Sequence, residues 1–344
     1  MSVPYKIGVI GAGNIGTAMA ALLSRSGAEI HVTARGARLA QITQAGVELN
    51  DRGEIITARP KVCEAITEPM DALFVCVKSQ SLASAIALNR AAIAPSTLVI
   101  PMVNGLPFWF YASADGMGHV PLLDPDRVLA RTLSPAQVLG AVLLMTVQTD
   151  ATGKATSSNT PTLSLGAVSD GTDEAAVTRL IALLETSGVR TDFDPAIRQK
   201  VLVKLLANFA TNALSALTGA MLDDIGRDPA LRSVATGLAD EFRAWASREG
   251  YSLPPNAWLV DLLIDAGAFP TSMLQDALAG KPLELDAICR APMDRARMGG
   301  GDMPIMGALL DRLAHAGHTP VPRSDIPAIL RSLPLSPIPA QKTA

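Results

Sequence analysis

The sequence predicts an α/β fold in two parts. A doubly wound parallel sheet with helices on its faces occupies residues 1–194, and an all-helical domain occupies residues 195–344. Three observations predict it. Short β-branched runs alternate with alanine- and leucine-rich runs as far as Phe193, the order that gives parallel strands with helical crossovers. A glycine-rich loop directly follows the first run. After Pro195 the strand pattern disappears and helical composition takes over.

Residues 6–10 form the first apolar strand, and residues 17–26 a helix stopped by Gly27. Residues 29–34 alternate as a strand, and 37–45 form a helix stopped by Gly46. Buried strands at 72–77 and 97–103 flank a helix over 81–93. Residues 106–135 break the rhythm with Pro107, Gly116, Gly118, Pro121, Pro125 and Pro135, and read as a long loop or insertion. Strands resume at 140–149 and 162–166, followed by a helix over 174–187 and a short strand near 189–193. The second half reads as helices over 197–217, 229–249, 255–266, 272–279, 286–298 and 304–316. The tail beyond Leu333, with three prolines and a polar end, reads as frayed.

Composition narrows the function classes. Apolar residues make up 49% and charged residues 18%, enough for a core and against a disordered chain. A net charge of -3 argues against a nucleic-acid or anionic-membrane partner, and 4% aromatics against a base-stacking surface. Cys63, Cys76 and Cys289 have neither disulfide-scaffold nor zinc-site spacing and suit a reducing cytoplasm. The four histidines form no evident ligand cluster, so no metal is expected. The start shows no targeting pattern, and the longest apolar stretch, 138–147, is about half of what a membrane span needs. A homodimer is left open.

Gly11-Ala12-Gly13-Asn14-Ile15-Gly16 is a G-x-G-x-x-G between a strand and a helix, the context that makes this motif a dinucleotide loop. The first glycine permits the turn, the second lets backbone approach a pyrophosphate, and the third lets helix and strand pack closely. Gly11, Gly13, Asn14, Ile15 and Gly16 are therefore candidate cofactor contacts. The second strand ends at Arg35, with Arg38 three residues on and no acid there; Glu29 lies at its beginning. Arginine at that end accommodates a 2'-phosphate, which points to NADPH.

In the helical half, Lys204, Asn208 and Asn212 are spaced by four and share one face of a helix that is apolar almost all round. A polar stripe on a buried helix must be hydrogen-bonded or face a wet cavity. Spacing alone leaves open whether these asparagines bridge helices or line a site.

That stripe, with Ser272-Met273-Leu274-Gln275-Asp276 and Glu284-Leu285-Asp286 later in the chain, resembles the ketopantoate reductase (2-dehydropantoate 2-reductase) family over residues 6–313. The resemblance implies an N-terminal Rossmann domain and a helical C-terminal domain. It also implies reduction of ketopantoate, a small 2-oxo acid, to pantoate with NADPH in pantothenate biosynthesis. It places a catalytic lysine on Lys204, an acidic partner on Glu284, and substrate contacts on Asn208, Asn212 and Ser272. Lys78 falls on a cofactor position, Asn104 on a cofactor and substrate position, and Arg35 on the 2'-phosphate contact.

The chain departs from the family pattern at Phe269, Cys289-Arg290 and Met306, and its Asn104-Gly105 loop runs on into Leu106-Pro107-Phe108-Trp109-Phe110. These departures leave two alternatives: a reductase of a bulkier 2-oxo acid, with Phe108, Trp109, Phe110 and Phe269 shaping an apolar pocket, or an NADP(H)-binding sensor without turnover.

Overall fold

The computed structural model describes residues 4–335, so the frayed tail expected at the C-terminus falls outside the described residues from 336 onward. The chain divides into two compact units between Lys200 and Val201. That point lies in the first turn of the helix Ile197–Thr218, close after the boundary expected at 194/195.

In the first unit the strands are β1 (Lys6–Ile10), β2 (Glu29–Thr33), β3 (Val47–Asp51), β4 (Glu54–Ala58), β5 (Lys61–Cys63) and β6 (Ala72–Val75). They continue with β7 (Leu98–Pro101), β8 (Leu139–Leu144), β9 (Val147–Thr149), β10 (Ala155–Ser157), β11 (Thr162–Ala167) and β12 (Arg190–Phe193). The main sheet runs β5-β2-β1-β6-β7, and all its pairings are parallel. The chain winds outward from β1 through β2 to β5, then returns to β6 and β7. The reversal between β1 and β6 is the switch point where α/β sheets bind ligands at their carboxyl ends.

The helix Asn14–Leu23 is buried at every position from Gly16 onward because it packs on β1 and β2 and also on β3, β4, β9 and β10. Those last four strands form a second sheet, β4-β3-β10-β9, in which β3–β4 is a hairpin turning at Arg52 (φ 53) and Gly53 (φ 98). Two positive φ angles match the twist of a two-residue hairpin. Sequence reasoning missed β3, β4, β5 and β10. On β4 only Ile56 is buried, so its apolar alternation is too weak to read.

The strand expected at 140–149 is two strands in different sheets. β8 pairs antiparallel with β11 in a third sheet, β12-β11-β8, while β9 pairs with β10. Asn159 holds the break: its side-chain Oδ1 accepts from Thr146 N at 2.6 Å, and its Nδ2 donates to Leu144 O at 3.2 Å. The segment 106–135, expected as a loop, is an irregular but packed part of the unit. Phe108, Trp109 and Phe110 are buried, and a short helix Val128–Thr132 is capped by Asp124, which accepts from Leu129 N and Ala130 N. The Arg198 guanidinium ties this segment down by donating to the carbonyls of Phe110, Ala112 and Val168 at 2.8, 2.6 and 2.6 Å.

The second unit is helical among its described residues. Phe209, Phe242 and Trp245 form its aromatic centre, with centroids 5.0 and 5.1 Å apart, and the helix Pro229–Arg248 packs against at least five other helices. Asp228 accepts from Ala230 N and Leu231 N, and Pro229 at the first position completes the cap. The helices Leu222–Arg227 and Ile326–Arg331 were not expected; each is six residues long, too short to show a period. The helix Ile197–Thr218 is long and apolar enough by composition to cross a membrane, but most of its apolar stretch is buried inside the protein, as in a core helix.

Candidate active site

In the first unit, four predicted cofactor positions follow the carboxyl ends of four adjacent strands: the glycine loop after β1, Arg35 after β2, Lys78 after β6 and Asn104 after β7. A nicotinamide dinucleotide fits the loop. Gly11 has φ 96, and a Cβ there would stand 2.9 Å from Cys76 O. A Cβ on Gly16 would collide with Gly11 O, so its hydrogen lets the helix pack against the turn. Gly13 differs: it is exposed, and a Cβ there would meet nothing within 4 Å. Packing does not demand a glycine at 13, whereas a ligand approaching the backbone does.

Side chains brace this loop from beneath. Thr33 Oγ1 accepts from Gly11 N at 3.0 Å, and Asn14 Nδ2 donates to Val147 O at 3.2 Å. Sequence reasoning missed Thr33, whose signal is a hydroxyl at the end of β2. Arg35 is exposed just before the helix Gly36–Ala45, whereas Arg38 is half-buried and bonded within the protein. Lys78 and Asn104 are half-buried, and Lys78 already has a partner.

One of the four histidines has acidic neighbours. His31, buried on β2, lies with Glu29 and Glu68 so that one ligand atom from each falls within 4.8 Å of the others. Lys61 pairs with Glu29 at 2.7 Å, and Lys6 pairs with Glu68. The group is an ion-pair network around the start of β2. Glu68 is distant in sequence, so no local pattern exposed it.

In the second unit, the helix Ile197–Thr218 carries the predicted polar stripe. Lys204 and Asn208 are half-buried, and Asn212 is 2% exposed. Burial pushes the Lys204 ammonium down from 10.5 to about 8, partly opposed by the carboxylate of Glu284. Glu284 is 6% exposed and precedes a wide π-type turn, Asp286–Arg290. The structure thus brings Lys204 and Glu284 into electrostatic contact. Asn212 Nδ2 is buried with no hydrogen-bond partner among the described residues. Exchanging the amide O and N leaves a polar atom unsatisfied all the same. Buried polar groups are nearly always paired, so this nitrogen is one that a ligand group could satisfy.

Ser272 is exposed at the first position of the helix Ser272–Leu278; the cap is Thr271, which accepts from Leu274 N at 3.1 Å. Cys289 and Met306 are fully buried, and Arg290 lies at the surface, paired with Asp286 at 2.8 Å. Met306 N and Ile305 N donate to the Glu241 carboxylate at 3.1 and 2.6 Å. Of the aromatics read for a bulkier substrate, Phe108, Trp109 and Phe110 fill the interior of the first unit, with Trp109 where a Cβ on Gly140 would stand, whereas Phe269 is half-buried.

Both halves match family models. Residues 7–170 match the model described as ketopantoate reductase PanE/ApbA, and residues 196–316 match its C-terminal counterpart. Among curated relatives, a 2-dehydropantoate 2-reductase of Mesorhizobium japonicum is 31% identical over 315 residues, spanning 89% of this chain and 95% of its own. One from Archaeoglobus fulgidus is 24% identical over 307 residues, spanning 89% and 96%. Among solved structures, a protein of Ralstonia solanacearum assigned as a ketopantoate reductase superposes with a TM-score of 0.84 at 28% identity, covering 92% of this chain and 99% of its own. D-mandelate dehydrogenase, solved with NADH and anilino(oxo)acetate, shares the fold at a TM-score of 0.77 and 19% identity, covering 91% and 98%.

Proposed function

The chain belongs to the ketopantoate reductase family, and we propose that it reduces 2-dehydropantoate to pantoate with NADPH, supplying pantothenate synthesis. The observation that carries this reading is the set on the helical half: an ammonium whose pKa burial depresses, a carboxylate acting on it, and a buried amide nitrogen with no partner among the described residues. The same set speaks against a sensor without turnover, because burying Lys204 and Glu284 costs stability that ligand binding alone does not require.

When bound, a reduced nicotinamide supplies the hydride. The rest falls to this chain. Lys204 stabilises the negative charge growing on the ketone oxygen and delivers the proton there. Glu284 keeps Lys204 protonated and accepts a bond from a substrate hydroxyl. Asn212 and Asn208 donate to the substrate carboxylate without adding charge, and the Ser272 hydroxyl serves the same end. Arg35, exposed just after β2, supports NADPH over NADH, because an arginine there accommodates a 2'-phosphate. Three free cysteines support a reducing, cytoplasmic setting.

The test is to follow nicotinamide absorbance with purified protein, NADPH or NADH, and a panel of 2-oxo acids. The proposal expects oxidation of NADPH with ketopantoate as the preferred acid. An absence of turnover with every acid contradicts the carry-over of the catalytic set.

A further inference from the structure

Arg38 sits in the first turn of the helix Gly36–Ala45, three residues beyond Arg35. Its bonds give it another task. Each of its three nitrogens already donates within the protein: Nε to Ala12 O at 3.2 Å, one Nη to Thr17 Oγ1 at 2.7 Å, and the other to Gln41 Oε1 at 2.5 Å. Thr17 Oγ1 in turn donates to the same Ala12 carbonyl at 3.2 Å. From the far side, the Gln41 amide donates to Thr152 O, and a Cβ on Gly153 would collide with the guanidinium. Arg38 is thus wedged between the glycine loop and the turn that joins β9 to β10.

Ala12 O and Gly13 N–H belong to one planar trans peptide and point in opposite directions. Holding the carbonyl therefore aims the amide. The Gly13 side of that plane is the exposed place where a side chain would meet nothing. We propose that Arg38 is a positioning residue for the cofactor loop: with Thr17 it anchors the Ala12 carbonyl and so orients the Gly13 amide toward the pyrophosphate. This rests on the nicotinamide-cofactor reading above. The pyrophosphate is common to NADH and NADPH, so Arg38 serves both equally, whereas Arg35 serves only the 2'-phosphate.

The experiment measures Kd for NADPH and NADH by quenching of tryptophan fluorescence in the wild type, Arg38→Met, Arg38→Lys and Thr17→Val, together with kcat at saturating cofactor. Arg38→Met should weaken both dinucleotides about tenfold, the scale of one charge-assisted hydrogen bond, with their ratio unchanged within about twofold and kcat preserved. Arg38→Lys should recover part of the loss for both. Thr17→Val, which removes the second donor to Ala12 with little change of shape, should weaken both by a smaller common factor; it carries the test should Arg38→Met not fold. A loss confined to NADPH would make Arg38 a 2'-phosphate ligand and overturn the inference. Unchanged Kd values in a folded variant would overturn it too. A wild-type protein that binds neither dinucleotide would overturn the cofactor reading first, and this inference with it.

Discussion

Replacing Glu284 with glutamine separates its charge from its shape. In the native protein Lys204 titrates near 8 because burial disfavours its ammonium, while the Glu284 carboxylate holds the value up. The protonated lysine is the proton donor in the reduction. Activity is therefore full below that pKa and lost as pH rises through about 8. Removing a nearby carboxylate charge lowers a lysine pKa by roughly one pH unit. With the value moved from about 8 to about 7, the protonated fraction at pH 8 falls from about one half to about one tenth, a roughly fivefold loss of rate. At pH 6 both proteins remain more than about 90% protonated, and the difference nearly vanishes. The assay is kcat/KM for ketopantoate reduction followed across about pH 5.5–9.5, where the alkaline limb reports the acid's pKa. An alkaline limb that stays in place in Glu284→Gln, or a loss of equal size at every pH, would show that Glu284 does not set the protonation of Lys204.

Other residues give further expectations. Arg35→Ala should erase most of a roughly 10- to 150-fold preference for NADPH by weakening NADPH alone, read as separate KM values for the two cofactors. Arg198→Ala strips three carbonyls of their donor and should cost about 2–4 kcal/mol in urea unfolding, with faster proteolysis within residues 106–135; unchanged stability would mean the segment holds itself. Burial pushes the Glu241 carboxyl up from 4.5 to about 7, so its contribution to stability is full below pH 4.5 and lost as pH rises through 7. Acidification from pH 8 to 5 should then raise Tm, and Glu241→Gln should flatten that slope.

The sequence made legible what depends on short range. β1, β6 and β7 were readable because each is a nearly continuous apolar run, as strands buried on both faces are, and β2 because apolar and polar residues alternate along it. The stripe of Lys204, Asn208 and Asn212 was readable because one helical period places all three on one face. Edge strands were not. β4 shows one buried residue in five, and β5 has only three residues. Nor could spacing separate Arg35 from Arg38: the difference lies in Ala12, Thr17 and Gln41, which reach Arg38 only through the fold. Glu284 came from family resemblance alone, since its effect on Lys204 spans eighty residues of chain. The aromatic run at 108–110 misled for the same reason. Whether a phenylalanine lines a pocket or fills a core depends on neighbours such as Gly140 and Ile197, which lie far along the chain.

The most direct test of the account is pantoate formation from ketopantoate and NADPH, measured in the wild type and in Lys204→Ala alongside NADPH affinity. The account predicts turnover in the wild type, a kcat roughly 10²–10⁴-fold lower in the variant, and a nearly unchanged Kd for NADPH, since Lys204 lies outside the unit that carries the glycine loop. A variant with near-normal kcat, or a wild type that makes no pantoate, would contradict it.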